Sequence, residues 1–240
     1  MKMSAGLIMM LMLSLFTGCD RSSEFQPIFN GKDFSGWVVK CAEDDAAENY
    51  WYVQDSSIVA NSMGDSLHDY VWLQYDEPLQ DFHLKFDFLS FKGNSGNSGI
   101  QFRSRYDESE EWLNGPQIDI NPPGPWRTGM IWDETRGYQR WIYPNLPKGE
   151  WVDPSMVISS PSFFYAGDSV EWNNMEVIVL GQKVEAWLNE HQVTDFDGGG
   201  ILDDSIHNAL MVGTEGYILL QIHIRDQLKI KFRNIELKKL

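Results

Sequence analysis

An all-β fold, a β-sandwich or jelly roll, is predicted by three features of the chain. Apolar and polar residues alternate in short runs, polar turns separate the runs, and no segment after residue 20 sustains a helical period. The length of 240 residues suits one large all-β domain, and no internal repeat or linker divides it.

The first long strand is read from Phe82, Leu84, Phe86 and Phe88, which alternate with His83, Lys85 and Asp87. Next, Ile100 and Phe102 alternate with Gln101, Arg103 and Arg105. Ile118 and Ile120 alternate with Gln117 and Asp119. With these two strands on one sheet, an amide and a carboxylate lie beside the Arg103 guanidinium on a polar face, which predicts a small-molecule site. Val177 and Val179 lead through the Gly181-Gln182 turn to Val184, Ala186 and Leu188. Leu228, Ile230 and Phe232 form the last strand, where the parity shifts to Ile235 and Leu237 and predicts a bulge near Asn234. Residues 121–169 are rich in Pro, Gly and Trp with little alternation, which predicts long loops on the sheet.

Composition narrows the partners. A formal net charge of -16 excludes a phosphate-binding surface for nucleic acid and disfavours an anionic membrane face. Ten tryptophans are unusual, and several fall in or beside the 121–169 stretch, where they either pin loops or stack on a ligand. At the amino terminus, Lys2, an apolar run from Leu7 to Leu13 and Phe16-Thr17-Gly18-Cys19 form a secretory signal too short to span a membrane as a helix. Thr-Gly-Cys is similar to the lipobox of bacterial lipoproteins. The expected organisation is a signal peptide over 1–18, lipidation at Cys19, a tether over 19–26 and a sandwich domain over 27–240. The chain is then a cell-envelope lipoprotein, periplasmic or surface-facing, whose membrane contact is the lipid alone. The alternative is a plain secreted protein with an incidental Cys19. Cys41, the second of two cysteines, has no intrachain partner in the mature form.

One motif misleads. Glu43-Asp44-Asp45-Ala46-Ala47-Glu48 has the E-x-D-x-x-E spacing of sandwich-fold endoglucanases, where strand geometry sets the carboxylates about 5 Å apart. Its spacers here are poor strand formers in a polar loop, so no catalytic meaning is assigned. No histidine pair has ligand spacing, and no metal or cofactor is expected. Asp195, Asp197, Asp203 and Asp204 offer weak grounds for a structural calcium, against a solvated acidic loop.

A series of motifs runs from residue 27 to 240. It opens with Phe29-Asn30-Gly31-Lys32-Asp33-Phe34-Ser35-Gly36-Trp37, Trp51-Tyr52-Val53, Gly96-Asn97-Ser98-Gly99-Ile100 with Phe102-Arg103, and Gly115-Pro116. It continues through Thr128-Gly129-Met130-Ile131-Trp132, Glu171-Trp172-Asn173, Trp187-Leu188-Asn189, Gly216-Tyr217-Ile218 and Phe232-Arg233-Asn234-Ile235. In this order the motifs resemble the 3-keto-disaccharide hydrolase domain family, and the resemblance implies a concanavalin-A-like jelly roll and cleavage of glycosides whose sugar carries a 3-keto group. The chain departs from the family pattern at Gln117, where glutamate is usual, and at Asp119, where glutamine is usual. It departs again at Glu190 and around Gln221-Ile222-His223-Ile224.

A ketone at C3 acidifies the C2 proton, so the implied reaction needs a base, donors for the enolate oxygen and an acid for the leaving oxygen. Asp119 or His223 is the expected base, with Glu171 a further acid/base candidate. Arg103 or Gln117 is expected at the enolate or hydroxyls, Trp132 as a stacking platform, and Asn97, Trp126 and Gln221 complete the substrate-binding set. Each has a structural alternative: Asp119 and Gln117 capping a loop or pairing with Arg103, His223 serving an apolar strand, Glu171 solvating a turn. The competing functional class is a non-catalytic glycan-binding lipoprotein using the same aromatic cleft; a purely structural envelope protein leaves the tryptophans unexplained.

Overall fold

The computed structural model describes residues 24–157 and 161–240. The signal peptide, Cys19 and the first part of the tether lie outside the described residues. Sixteen strands follow in order: β1 (Gln26–Pro27), β2 (Trp37–Cys41), β3 (Trp51–Gln54), β4 (Ser57–Asn61), β5 (Val71–Tyr75), β6 (Phe82–Ser90), β7 (Ser98–Asp107) and β8 (Trp112–Asn114). The second half contributes β9 (Pro116–Ile120), β10 (Ile131–Asp133), β11 (Arg140–Tyr143), β12 (Trp172–Leu180), β13 (Lys183–Leu188), β14 (His191–Asp197), β15 (Tyr217–Ile222) and β16 (Lys229–Lys239). One short helix, α1 (Ser205–Leu210), precedes β15.

Two antiparallel sheets face each other. One runs β14-β13-β12-β6-β16-β4-β3, with β1 on β16; the other runs β11-β10-β9-β7-β15-β5-β2, with β8 on β7. The predicted all-β jelly-roll sandwich is the observed architecture. Phe82, Leu84, Phe86 and Phe88 of β6 meet Ile100, Phe102, Ile118, Ile120, Leu220 and Ile222 of the other sheet in one continuous core. Burial alternates strictly along the first six residues of β6, as its sequence predicts.

The second sheet behaves differently. All five residues of β9 and the first seven of β7 are buried, so both faces of these strands are covered. Core covers Ile118 and Ile120; the 121–157 segment covers Gln117 and Asp119 from the other side. That segment is not a single long loop, since it contributes β10 and β11 to the sheet and brings Trp132, Trp141 and Trp151 to the cavity over the polar face.

Three local expectations meet definite outcomes. A register shift between Arg233 and Glu236, with Asn234 at φ 50°, is the bulge expected there. The tether ends earlier than expected, because Gln26–Pro27 already pairs with Glu236–Leu237. Glu43–Asp45 forms a single helical turn, not a strand, so its carboxylates never share a strand face.

Candidate active site

The site lies on the outer face of the second sheet, above β7, β9 and β15. Gly99 faces Asp119 across β7–β9, and Gln101 faces Gln117. Gly99 is required by close approach: a Cβ there would sit 2.4 Å from Gln117 Cδ, so the Gln117 side chain lies where another residue's would be. The Gln101 Nε2 donates to Gln117 Oε1 at 2.5 Å.

Asp119 is 1% exposed and fully engaged. Its Oδ1 accepts from Asn97 Nδ2 at 2.9 Å and its Oδ2 from Arg127 Nε at 2.8 Å. Burial pushes its pKa up, against the opposing pull of Arg127 and Asn97. The Arg127 guanidinium also lies over the Trp141 ring, 5.4 Å from its centroid.

Glu134 follows the end of β10 and enters the same cavity, 4% exposed. Its backbone N–H donates to Gly115 O at 2.9 Å, and its carbonyl accepts from the Trp112 indole at 3.0 Å. Loss of hydration on burial pushes the carboxyl pKa up to about 7, with Asp133 and Asp119 adding repulsion while His223 and Trp132 oppose the rise. A carboxylic acid poised near neutrality in a cavity is a general-base candidate.

His223 stands just beyond β15. Its Nε2 is 3.2 Å from the Tyr70 hydroxyl, and its Nδ1 is 3.0 Å from Asp226 Oδ2 but out of line for a hydrogen bond. Burial alone would lower its pKa; Asp226, Glu134 and Asp119 outweigh it, and the net shift is upward. Tyr70 stacks on Trp72 (5.2 Å, 7°), and its own pKa is raised by burial, so it remains a neutral phenol beside the imidazole.

Aromatic rings close the rim. Trp132 meets Trp141 edge-on at 5.2 Å and stacks on Trp151 at 5.4 Å and 16°. The cavity volume is ≈ 130 Å³, below the roughly 300 Å³ of pockets for drug-sized ligands.

Of the residues expected from sequence, the cavity brings together Asn97, Gln117, Asp119, Trp132 and His223. Four others lie elsewhere. Arg103 takes φ 48°, and the β7–β15 register shifts beside it, so the strand parity breaks and the side chain leaves the polar face. Its guanidinium instead meets Asp81, Gln80 O, Gly181 O and Gly213 O at the end of the sandwich. Glu171 lies on the exposed surface, its Oε1 accepting from Gly167 N at 2.6 Å, a turn contact. Trp126 borders a separate small hollow with Met130, Tyr143 and Val193, because the helical turn Pro125–Arg127 directs Arg127, not Trp126, to the site. Gln221 is under the floor, fully buried beside Trp72, with both amide atoms unpartnered. The four aspartates weighed for calcium are spent locally: Asp197 on Gly199 N, Asp203 on Gly200 N, Asp204 on the start of α1, and Asp195 beside Lys183. Among the described residues, no group of three or more acidic, His or Cys side chains is arranged for a metal.

Sequence reasoning missed Glu134 and Arg127. Strand parity from Trp132 places Glu134 two residues on, on the same face, which is the signal available for it; Arg127 belongs to a helical turn with no periodic signature.

The two-sheet sandwich, with a polar cavity walled by aromatic rings on its outer face, places the chain among jelly-roll β-sandwich proteins. Residues 24–238 match the 3-keto-alpha-glucoside-1,2-lyase-like domain, and the chain belongs to that family. Two crystal structures of proteins from Parabacteroides distasonis, each described as a "putative glycosyl hydrolase", share the fold. One has a TM-score of 0.57 at 20% identity, covering 91% of this chain and 95% of the other; the second has 0.56 at 22%, covering 91% and 100%. A Bacillus subtilis protein with a galectin-like fold superposes with a TM-score of 0.55 at 14% identity, covering 90% and 94%. A comparison with curated proteins finds no match.

Proposed function

We propose that the chain cleaves 3-keto-glycosides by elimination and hydration, with Glu134 as base and His223 as acid. The observation that carries this reading is a carboxyl poised near pH 7 in the same cavity as a histidine whose proton is held by acidic neighbours. Glu134 takes the proton from C2, and the C–H electrons form the C2=C3 enolate. The Arg127 guanidinium, held in place by Asp119 and Trp141 in the same cavity, is the cation assigned to the enolate oxygen. The enolate electrons then form C1=C2 and re-form the ketone as the C1–O bond breaks, and His223 protonates the leaving oxygen. Water adds its oxygen to C1 of the enone and a proton returns to C2, giving the free 3-keto sugar. Trp132 offers a ring face to the sugar, and Asn97 and Gln117 offer amides to its hydroxyls.

Incubation with 3-keto-trehalose or a 3-keto-glucoside is expected to release 3-keto-glucose, detected by chromatography. Saturable binding with no release would instead support a glycan-binding protein, a reading favoured by the solvent-facing Trp132–Trp151 stack.

The cellular address proposed is the envelope, through a lipid on Cys19. None of the described helices is long and apolar enough to cross a membrane. Metabolic labelling with a radiolabelled fatty acid is expected to mark the wild type and not Cys19→Ser, which should move from the membrane to the soluble fraction. Equal labelling of both would overturn the anchor.

A further inference from the structure

Behind Glu134, on the side away from the cavity, lies a buried acid–histidine–acid chain that the proposed reaction does not use. Asp133 is 2% exposed and His207 is 3% exposed. His207 Nε2 is 3.2 Å from Asp133 Oδ2, a charge contact that is off-line for a hydrogen bond, and His207 Nδ1 is 2.9 Å from Asp204 Oδ1. Asp204 also caps α1, accepting from the N–H groups of Ile206 and His207 at 2.9 Å each. Asp133 Oδ1 accepts from Thr135 N at 3.0 Å, so its carboxylate bridges the backbone on either side of Glu134. Two like charges adjacent in sequence and both buried are costly, and an unpaired buried carboxylate beside the base would repel the charge that the base must acquire.

We propose that His207 is a positioning residue for Glu134: set between the Asp133 and Asp204 carboxylates, it fixes the Asp133–Thr135 backbone and offsets the Asp133 charge, thereby setting the pH at which Glu134 ionises. This rests on the reading of Glu134 as the base, but its test does not need turnover. The charged and titratable groups around Glu134 are His223 beyond β15, Asp119 on β9, Arg127 in the helical turn before β10, Asp133 on β10 and Tyr70 before β5. Those facing His207 are Asp133 and Asp204, both of which favour its charged form and outweigh the opposing effect of burial. Only Asp133 belongs to both sets, so it is the link.

The test is a carboxyl ¹³C NMR titration of the full-length protein, with the Glu134 signal assigned by its loss in Glu134→Gln. His207→Gln removes the compensating cation and is expected to raise the Glu134 midpoint by on the order of one pH unit. Asp133→Asn removes the repelling anion and is expected to lower it by a similar amount. Opposite signs are the signature of charge coupling; a merely structural role would loosen the segment, hydrate Glu134 and lower the midpoint in both variants. Same-sign shifts, or none, overturn the proposal. In the wild type, ¹⁵N shifts of the His207 ring supply a measurement independent of any variant's folding. A predominantly protonated ring at pH 6 is expected, and a neutral ring at that pH would also overturn it. Absence of turnover with the expected shifts intact would count against the proposed reaction and not against this coupling.

Discussion

Glu134→Gln is expected to lower kcat/KM on a 3-keto-glucoside by about 10²–10⁴-fold with little change in KM, since the amide preserves shape and removes only the base. The pH profile carries the same information. A base must be ionised, so wild-type kcat/KM should rise with pH through the Glu134 midpoint at about 7 and fall tenfold per unit below it. An acid must be protonated, so the rate should decline again as His223 loses its proton, above its ordinary value of 6.5 because the shift is upward. In Glu134→Gln the residual rate should lose the acidic limb and keep the basic one. If the variant keeps both its turnover and the acidic limb, the base is another group, with Asp119 next in order. Asp119 is the weaker candidate on geometry, because both its oxygens already accept charge-assisted or amide hydrogen bonds.

Arg103→Met is expected to destabilise the fold by about 3–5 kcal/mol, read from urea midpoints, with turnover unchanged at temperatures where the variant stays folded. The guanidinium is 1% exposed and reaches from the second sheet to the first, bonding Asp81 at the start of β6 and the Gly181 carbonyl in the β12–β13 turn. Removing it leaves three carbonyl oxygens without their donor inside the sandwich end. For a chain of this size each kcal/mol lowers Tm by about 2–4 °C, so the loss is large enough for a thermal melt to resolve. A variant that melts like wild type but fails to turn over would return Arg103 to the substrate.

These two cases show what was legible in the sequence. Strand alternation depends only on a period of two and on one buried face, so β6, β9, β12 and β16 were readable from their own residues. The polar floor of Gln117 and Asp119 followed from the same rule. Arg103 was misplaced because one residue in the left-handed region resets the parity, and nothing in Phe102-Arg103-Ser104 announces it. The cause is non-local: Gly216 packs against the bulge so tightly that a Cβ would lie 2.5 Å from the Arg103 carbonyl carbon. Glu134 was passed over for a related reason. Its perturbed ionisation arises from burial under neighbouring strands and from Asp133, Asp119 and His223, which are assembled only by the fold. Glu171 looked equivalent as a carboxylate in the sequence and differs only in lying on a solvated turn.

The acid side of the cavity is built from two loops that are welded together. Asp226 Oδ2 accepts from Asn97 N at 2.8 Å while standing against the His223 ring, Ser95 N donates to Gln227 O at 3.1 Å, and Gly96 presses against the Asp226 side chain. Asn97 and His223 are therefore held at a fixed spacing, facing the tryptophan wall across the cavity. The group proposed to recognise the sugar and the group proposed to deliver the proton thus share one backbone joint, His223 N donating to Asn97 O at 3.4 Å.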